Sequence, residues 1–182
     1  SRNFNSQNSF SSGMQYATGD AVVLLDGDLQ DPPELIEKFT IKWLEGYEVV
    51  YGSRVKRETS LLMNISYKFF YRIFNKLSYI NIPLDAGDFS LMDRKVVNAI
   101  NSLKESDRFI RGLRAWTGFK QIGIPYNRPE RQFGRSTNNL FKNIQWAKKG
   151  IFSFSHLPLE IMSLVSYSIF LLSSIALIIY TL

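Results

Sequence analysis

Apolar positions fall into short runs broken by polar residues, and the spacing within each run separates strands from helices. Residues 21–25 (AVVLL) form an unbroken apolar run, the pattern of a strand covered on both faces of a parallel sheet. The run stops at Asp26-Gly27-Asp28. After Pro32 and Pro33, the stretch ELIEKFTIKWLEG predicts a helix with Glu34 and Glu37 in its first turn and Gly46 as its stop. EVVY at 48–51 predicts the next strand, ending at Gly52-Ser53-Arg54. Helices are expected over the aromatic-rich 61–77, and over 95–103 and 107–116. At 120–126, Ile122, Ile124 and Tyr126 fall on alternate positions, as in a half-covered strand. Strands alternating with helices imply an α/β sheet that holds ligands at the carboxyl ends of its strands.

The last part of the chain follows another rule. Residues 161–182 (IMSLVSYSIFLLSSIALIIYTL) carry no charge. As a helix they reach about 33 Å, close to the ~30 Å hydrocarbon core of a bilayer, so a membrane span is expected rather than a buried soluble helix. Its position at the C-terminal end sets it apart from a signal peptide. Just before it, Leu140, Phe141, Ile144, Ala147 and Ile151 recur at helical spacing, with Lys142, Lys148 and Lys149 off that stripe. Such a helix can lie in the headgroup region or pack on the protein's own core, and the pattern leaves both open. By the positive-inside tendency these lysines put the N-terminal side in the cytoplasm.

Composition narrows the chemistry. With 45% hydrophobic and 21% charged residues among 182, the chain is neither disordered nor fibrous. Cysteine is absent, which removes disulfide scaffolds, thiolate metal sites and cysteine nucleophiles. His156 is the single histidine, so a Ser-His-Asp triad or a histidine-rich zinc site is not expected. The net charge of +6 is divided unevenly: residues 1–52 carry eight acidic and three basic side chains, and the excess of lysine and arginine lies beyond them. An acidic front and a basic body suit a cation site beside a surface that meets anions.

At the end of the first strand, two carboxylates with a glycine between them can turn toward one point and hold a hard divalent cation. Magnesium fits, because it takes one or two protein carboxylates and leaves the rest of its shell to water and phosphate. Gln30 adds a neutral oxygen. Asp-Gly-Asp is also a common turn, and the context decides between the two. VVLLDGDLQDPPELIEKF at 22–39 resembles the metal-binding DxD region of family 2 glycosyltransferases of the GT-A fold. Within that family it resembles the polyprenyl-phosphate glycosyltransferases, which include dolichol-phosphate mannose synthases and bactoprenol glucosyltransferases. Three further blocks match in order: GSR at 52–54, PLDAGDFSLMDRKVV at 83–97 and RPERQFGRS at 128–136.

The resemblance covers essentially the whole chain. It implies a Rossmann-like GT-A catalytic domain at 1–136, an amphipathic interfacial helix at 137–156 and a transmembrane helix at 157–182. It also implies that the domain is incomplete at its N-terminus, starting at a helix over 2–17 and lacking the family's first strand and P-x-Y-N-E-like loop, and that a second span is missing. Carried over by position, Asp26 faces the nucleotide while Asp28 and Gln30 contact Mg2+ or Mn2+. Asp88 matches the catalytic carboxylate of inverting relatives, with a helix cap as its alternative role, although Asp93 suits the cap better. Arg54 and Arg72 match acceptor-phosphate positions. Arg131, with Gly134 and Ser136, matches the R-x-x-G-x-S loop over the donor diphosphate, and Arg131 also reaches the acceptor phosphate. Arginine suits phosphate because its planar fork grips two oxygens. Lys56, Arg57 and Lys68 remain for the membrane surface, and His156 for the interface.

The implied reaction is inverting transfer of a hexose, with glucose from UDP-glucose as the leading choice, to polyprenyl (undecaprenyl) phosphate at the cytoplasmic membrane face. A phosphate monoester with its second pKa near 6 is mostly ionised at neutral pH, so Asp88 has more orienting than deprotonating to do. Partners are the nucleotide sugar, the polyprenyl phosphate and the bilayer, and relatives can assemble as homo-oligomers. GDP-mannose as donor, and a non-catalytic membrane protein that binds phosphates, are the alternatives. Nucleic acid is not an expected partner despite a pI of about 9.5, since no nucleic-acid motif is present.

Overall fold

The computed structural model describes residues 2–55, 78, 80, 82, 86–105, 108–129 and 140–181. Six helices and four strands lie in them. In chain order these are α1 (Asn5–Tyr16), β1 (Ala21–Leu24), α2 (Leu35–Leu44), β2 (Val49–Arg54) and β3 (Ala86–Asp93), followed by α3 (Arg94–Ser102), α4 (Ile110–Trp116), β4 (Gln121–Tyr126), α5 (Leu140–Phe154) and α6 (Leu157–Thr181). The aromatic-rich stretch at 61–77 falls outside the described residues.

The sheet is mixed, with strand order β1-β3-β2-β4. Strand β3 runs antiparallel to both β1 and β2, while β2 and β4 are parallel. One expectation changes here, and one strand comes into view that the pattern did not predict. The β1 strand is only half-buried except at Leu24, because within the described sheet it lies at the edge and its one neighbour is antiparallel. The AGDFSLMD segment is a full central strand, although Asp88 and Ser90 break its apolar run. Pairing on both sides buries it: Phe89 and Leu91 face one layer, Met92 the other.

Helices cover both faces. On one, Met14, Val96, Val97, Ile100, Ile110 and Leu113 from α1, α3 and α4 pack on Leu24, Val49 and Met92. On the other, Leu35 and Phe39 of α2 pack on Val50, Phe89, Leu91 and Tyr126. Asp93 caps α3, its side chain accepting from the Lys95 N–H at 2.9 Å, while its other oxygen accepts from the Trp43 indole N–H at 2.8 Å. Helix α2 stops at Gly46, whose φ of +92° is left-handed and open to glycine without strain.

Helix α5 ends by packing on this core. Phe154 is buried and Ile151 is partly so, which settles the described end of α5 in favour of core packing. After a break at Ser155-His156, α6 runs 25 residues with one charged side chain, Glu160, and none of its residues is buried. It is long and apolar enough to cross a membrane. The hydroxyls of Ser166, Ser168, Ser174 and Thr181 donate to carbonyls four residues earlier, at 2.8 to 2.9 Å, which hides their polarity inside the helix.

Candidate active site

Sheet register assembles the site. Leu24 pairs with Ser90, so two residues beyond β1 Asp26 comes level with Asp88 on antiparallel β3. Arg54 ends β2 beside the start of β3 and pairs with Tyr126 at the end of parallel β4, with Arg128 two residues on. The carboxyl ends of β1, β2 and β4 and the start of β3 therefore share one sheet edge. Of the predicted site residues, Asp26, Asp28, Gln30, Arg54 and Asp88 gather there. Arg72, Arg131, Gly134 and Ser136 lie outside the described residues, as do Lys56, Arg57 and Lys68. His156 is exposed at the α5–α6 break.

The acidic loop is shaped by its own polar groups. The Gln30 N–H donates to Asp28 Oδ1 at 3.2 Å, and Leu29 between them takes a left-handed φ of 58°. That conformation costs a non-glycine residue roughly 1–2 kcal/mol, which the loop sustains. The Gln30 amide donates to the Pro129 carbonyl at 3.1 Å, tying the loop to the segment after β4. Arg128 strengthens the same link, with Nη2 3.5 Å from Asp28 Oδ2 and Nε 3.2 Å from Asp31 Oδ1. Asp31 is buried and accepts from the Tyr126 hydroxyl. Burial, then the bond to Asp31, pushes the Tyr126 hydroxyl up to about 12, so it donates throughout the physiological range.

Burial, together with the negative charges of Asp88, Asp31 and Asp28, pushes the Asp26 carboxyl up, while Arg128 opposes the rise. Among the described residues no three His, Asp or Glu side chains are grouped to enclose an ion. The donor set nevertheless fits magnesium or manganese. Such ions need only one or two carboxylates, Gln30 adds an amide oxygen, and the mutual repulsion at Asp26 is what a bound cation relieves.

Asp88 is held from two sides. The Gln7 amide of α1 donates to Oδ2 at 3.1 Å, and Arg111 Nε of α4 donates to Oδ1 at 3.0 Å. The Gln7 carbonyl oxygen accepts from the Ile110 N–H at 2.8 Å, which fixes the amide's orientation. Arg111 also donates to the Ala86 carbonyl at 3.2 Å. Asp88 is thus a strand residue with its carboxylate in the site, and the capping role belongs to Asp93. Arg54 leans over the strand at Gly87, where a Cβ would come within 3.3 Å of its Nη2. Among the described residues its Nε is buried with no hydrogen-bond partner, a donor that an anion would satisfy. Beneath lies Arg114, fully buried over the Tyr51 ring at 5.0 Å, its pKa lowered to about 10 by burial against the opposing pull of Asp88.

Sequence reasoning missed Gln7, Asp31, Arg111 and Arg128. Arg128 opens the RPERQFGRS block, so a signal was present there, but only folding shows that it meets Asp28 and Asp31. Gln7 has no local signal, because its partner Asp88 is 81 residues away.

The family described as Glycosyl transferase family 2 matches residues 1–100. An uncharacterized glycosyltransferase, YkcC, of Bacillus subtilis is 47% identical over 90% of the chain and 51% of its own length. An uncharacterized glycosyltransferase of Synechocystis is 45% identical over 95% of the chain and 55% of its own length. A bactoprenol glucosyl transferase of Shigella phage SfX is 38% identical over 90% of the chain and 54% of its own length. The chain spans about half the length of these curated relatives.

Proposed function

We propose, for a chain that belongs to glycosyl transferase family 2, that it carries out inverting transfer of a hexose to polyprenyl phosphate at the cytoplasmic face of a membrane. Glucose from UDP-glucose is the favoured donor, in line with the relatives that are bactoprenol glucosyl transferases. One observation carries the reading: a shared strand edge sets Asp26 and Asp28 beside Asp88, with Arg54 next to them, in a chain whose α6 is long and apolar enough to span a bilayer.

On this reading residues 1–136 form the catalytic part, residues 137–156 hold the membrane-proximal helix and residues 157–182 the span. Asp26, Asp28 and Gln30 would hold magnesium or manganese, which when bound would supply Lewis-acid neutralisation of the donor diphosphate. Arg54 meets the acceptor phosphate, its Nε having no hydrogen-bond partner among the described residues. Asp88, fixed by Gln7 and Arg111, orients the reacting groups. A phosphate oxygen attacks the anomeric carbon in line, the bond from that carbon to the diphosphate oxygen breaks, and the nucleoside diphosphate leaves with the electron pair. A lipid acceptor confined to the bilayer meets an enzyme confined to the same surface, which raises their encounter frequency.

The test is sugar transfer in membranes containing the full-length protein, given labelled UDP-glucose or GDP-mannose, undecaprenyl phosphate and magnesium. Label is expected in the lipid phase from UDP-glucose, and absent with chelator or with Asp28→Ala. Transfer from GDP-mannose alone would overturn the donor assignment. A folded, inserted protein that moves no label from either donor would overturn the reaction.

A further inference from the structure

Helix α4 joins two things that are distant in sequence. Its first turn holds the candidate catalytic carboxylate: the Ile110 N–H orients Gln7, and Arg111 donates to Asp88. The same turn receives the end of the membrane-proximal helix. Phe154, the last residue of α5, lies on Gly112 so closely that a Cβ there would overlap its ring edge. The Phe154 ring centroid is 6.2 Å from that of Phe109, and the Arg111 guanidinium lies 5.7 Å from the Phe109 centroid. A continuous set of contacts therefore runs from Phe154 through Phe109 to Arg111 and Asp88. Phe154 is buried, although none of the residues of the next helix, α6, is buried among the described residues. The aromatic anchor thus grips the sheet domain just before the chain passes into α6.

We infer that Phe154 is a positioning residue for Asp88: seated against Phe109 and Gly112, the end of the membrane-proximal helix sets the Arg111–Asp88 pair, so that the site is in register only when that helix is docked. The inference rests on the reaction proposed above for its kinetic test, and on the contacts alone for its structural one. Glycine at 112 is required by close approach. An alanine there would favour the helix by propensity yet lift Phe154 out of its seat, and the overlap outweighs the propensity gain. A small displacement of an orienting group costs up to on the order of a hundredfold in rate, which makes the effect measurable.

The experiment uses the full-length protein in membrane vesicles, with Phe154→Ala, Phe154→Leu, Arg111→Lys and the Phe154→Ala/Arg111→Lys pair. Turnover at saturating donor and acceptor is expected to fall on the order of tenfold or more in Phe154→Ala, with donor affinity unchanged and partial recovery in Phe154→Leu. The double variant should be no slower than Arg111→Lys, because both changes act through one contact chain. Hydrogen exchange at the start of α4, which includes the Ile110 N–H, should quicken in Phe154→Ala. Turnover per folded protein equal to wild type, or fully additive losses in the pair, would overturn the inference. If the wild type transfers no sugar, the proposed reaction fails on its own, and exchange still decides: unchanged protection of α4 in Phe154→Ala sinks the positioning role.

Discussion

A single carboxylate shows how context divides labour among aspartates. Asp88 and Asp93 lie five residues apart on one strand, and each accepts hydrogen bonds from two other residues. Asp93 closes its strand, caps α3 and takes the Trp43 N–H, all of which is structural. Asp93→Ala is expected to cost about 1–2 kcal/mol in denaturant unfolding, the sum of a lost cap and an orphaned indole N–H. Burial resists ionisation at Asp93, but the Trp43 and Lys95 donors with the Lys95 and Arg94 charges outweigh it, holding the carboxyl below its ordinary 3.8. A carboxyl depressed on folding stabilises the fold above its unfolded pKa. That contribution should be complete above about pH 4 and be lost as pH falls from 3.8 through the folded value. Acid titration of wild type against Asp93→Ala checks it, and parallel curves throughout that range would contradict the assignment.

At the scale of elements, β2 shows why small residues are placed where they are. A Cβ on Gly52 would lie 2.7 Å from Tyr126 Cε1 and 3.2 Å from Phe89, whose ring is 6.1 Å from that of Tyr126 and 4.8 Å from that of Phe39. The glycine lets three aromatic rings close over the strand just before Arg54. Gly52→Ala is expected to destabilise by about 1–3 kcal/mol, as overpacking of a tight core does. It should also disturb Arg54 and the Tyr126–Asp31 bond. Thermal unfolding measures the first effect, and an unchanged midpoint would show that the rings yield freely. The GSR block was legible as a motif, whereas the steric need for its glycine came into view only with β4 alongside.

For the whole molecule, the decisive contrast among the described residues is between a sheet domain covered on both faces and a helix with no buried residue. Helix α6 is too apolar to remain in water uncovered, and it internalises the hydroxyls of Ser166, Ser168, Ser174 and Thr181. Placing lysine at Ile169 and Leu172 should oppose insertion by about 2.5–3.5 kcal/mol per residue at the bilayer centre. The full-length variant is then expected to pass from the carbonate-resistant membrane pellet to the extract, in part or whole. A pellet fraction equal to wild type would mean that α6 does not carry the membrane association.

What could be read from the sequence is what short-range physics encodes. The apolar run into Asp26-Gly27-Asp28, the helix between Pro33 and Gly46, the cap at Asp93 and the uncharged run at 161–182 all depend on neighbours within a turn or two. Periodicity, caps and charge patterning suffice for these. The tertiary structure alone decided the direction of β3, the edge position of β1 within the described sheet, the strap of Arg128 across Asp28 and Asp31, the Gln7–Asp88–Arg111 clamp and the seat of Phe154 on Gly112. Each of those joins residues far apart in the chain. Such pairs are selected by sheet register and by the shape of the packed core, which no local pattern of residues specifies.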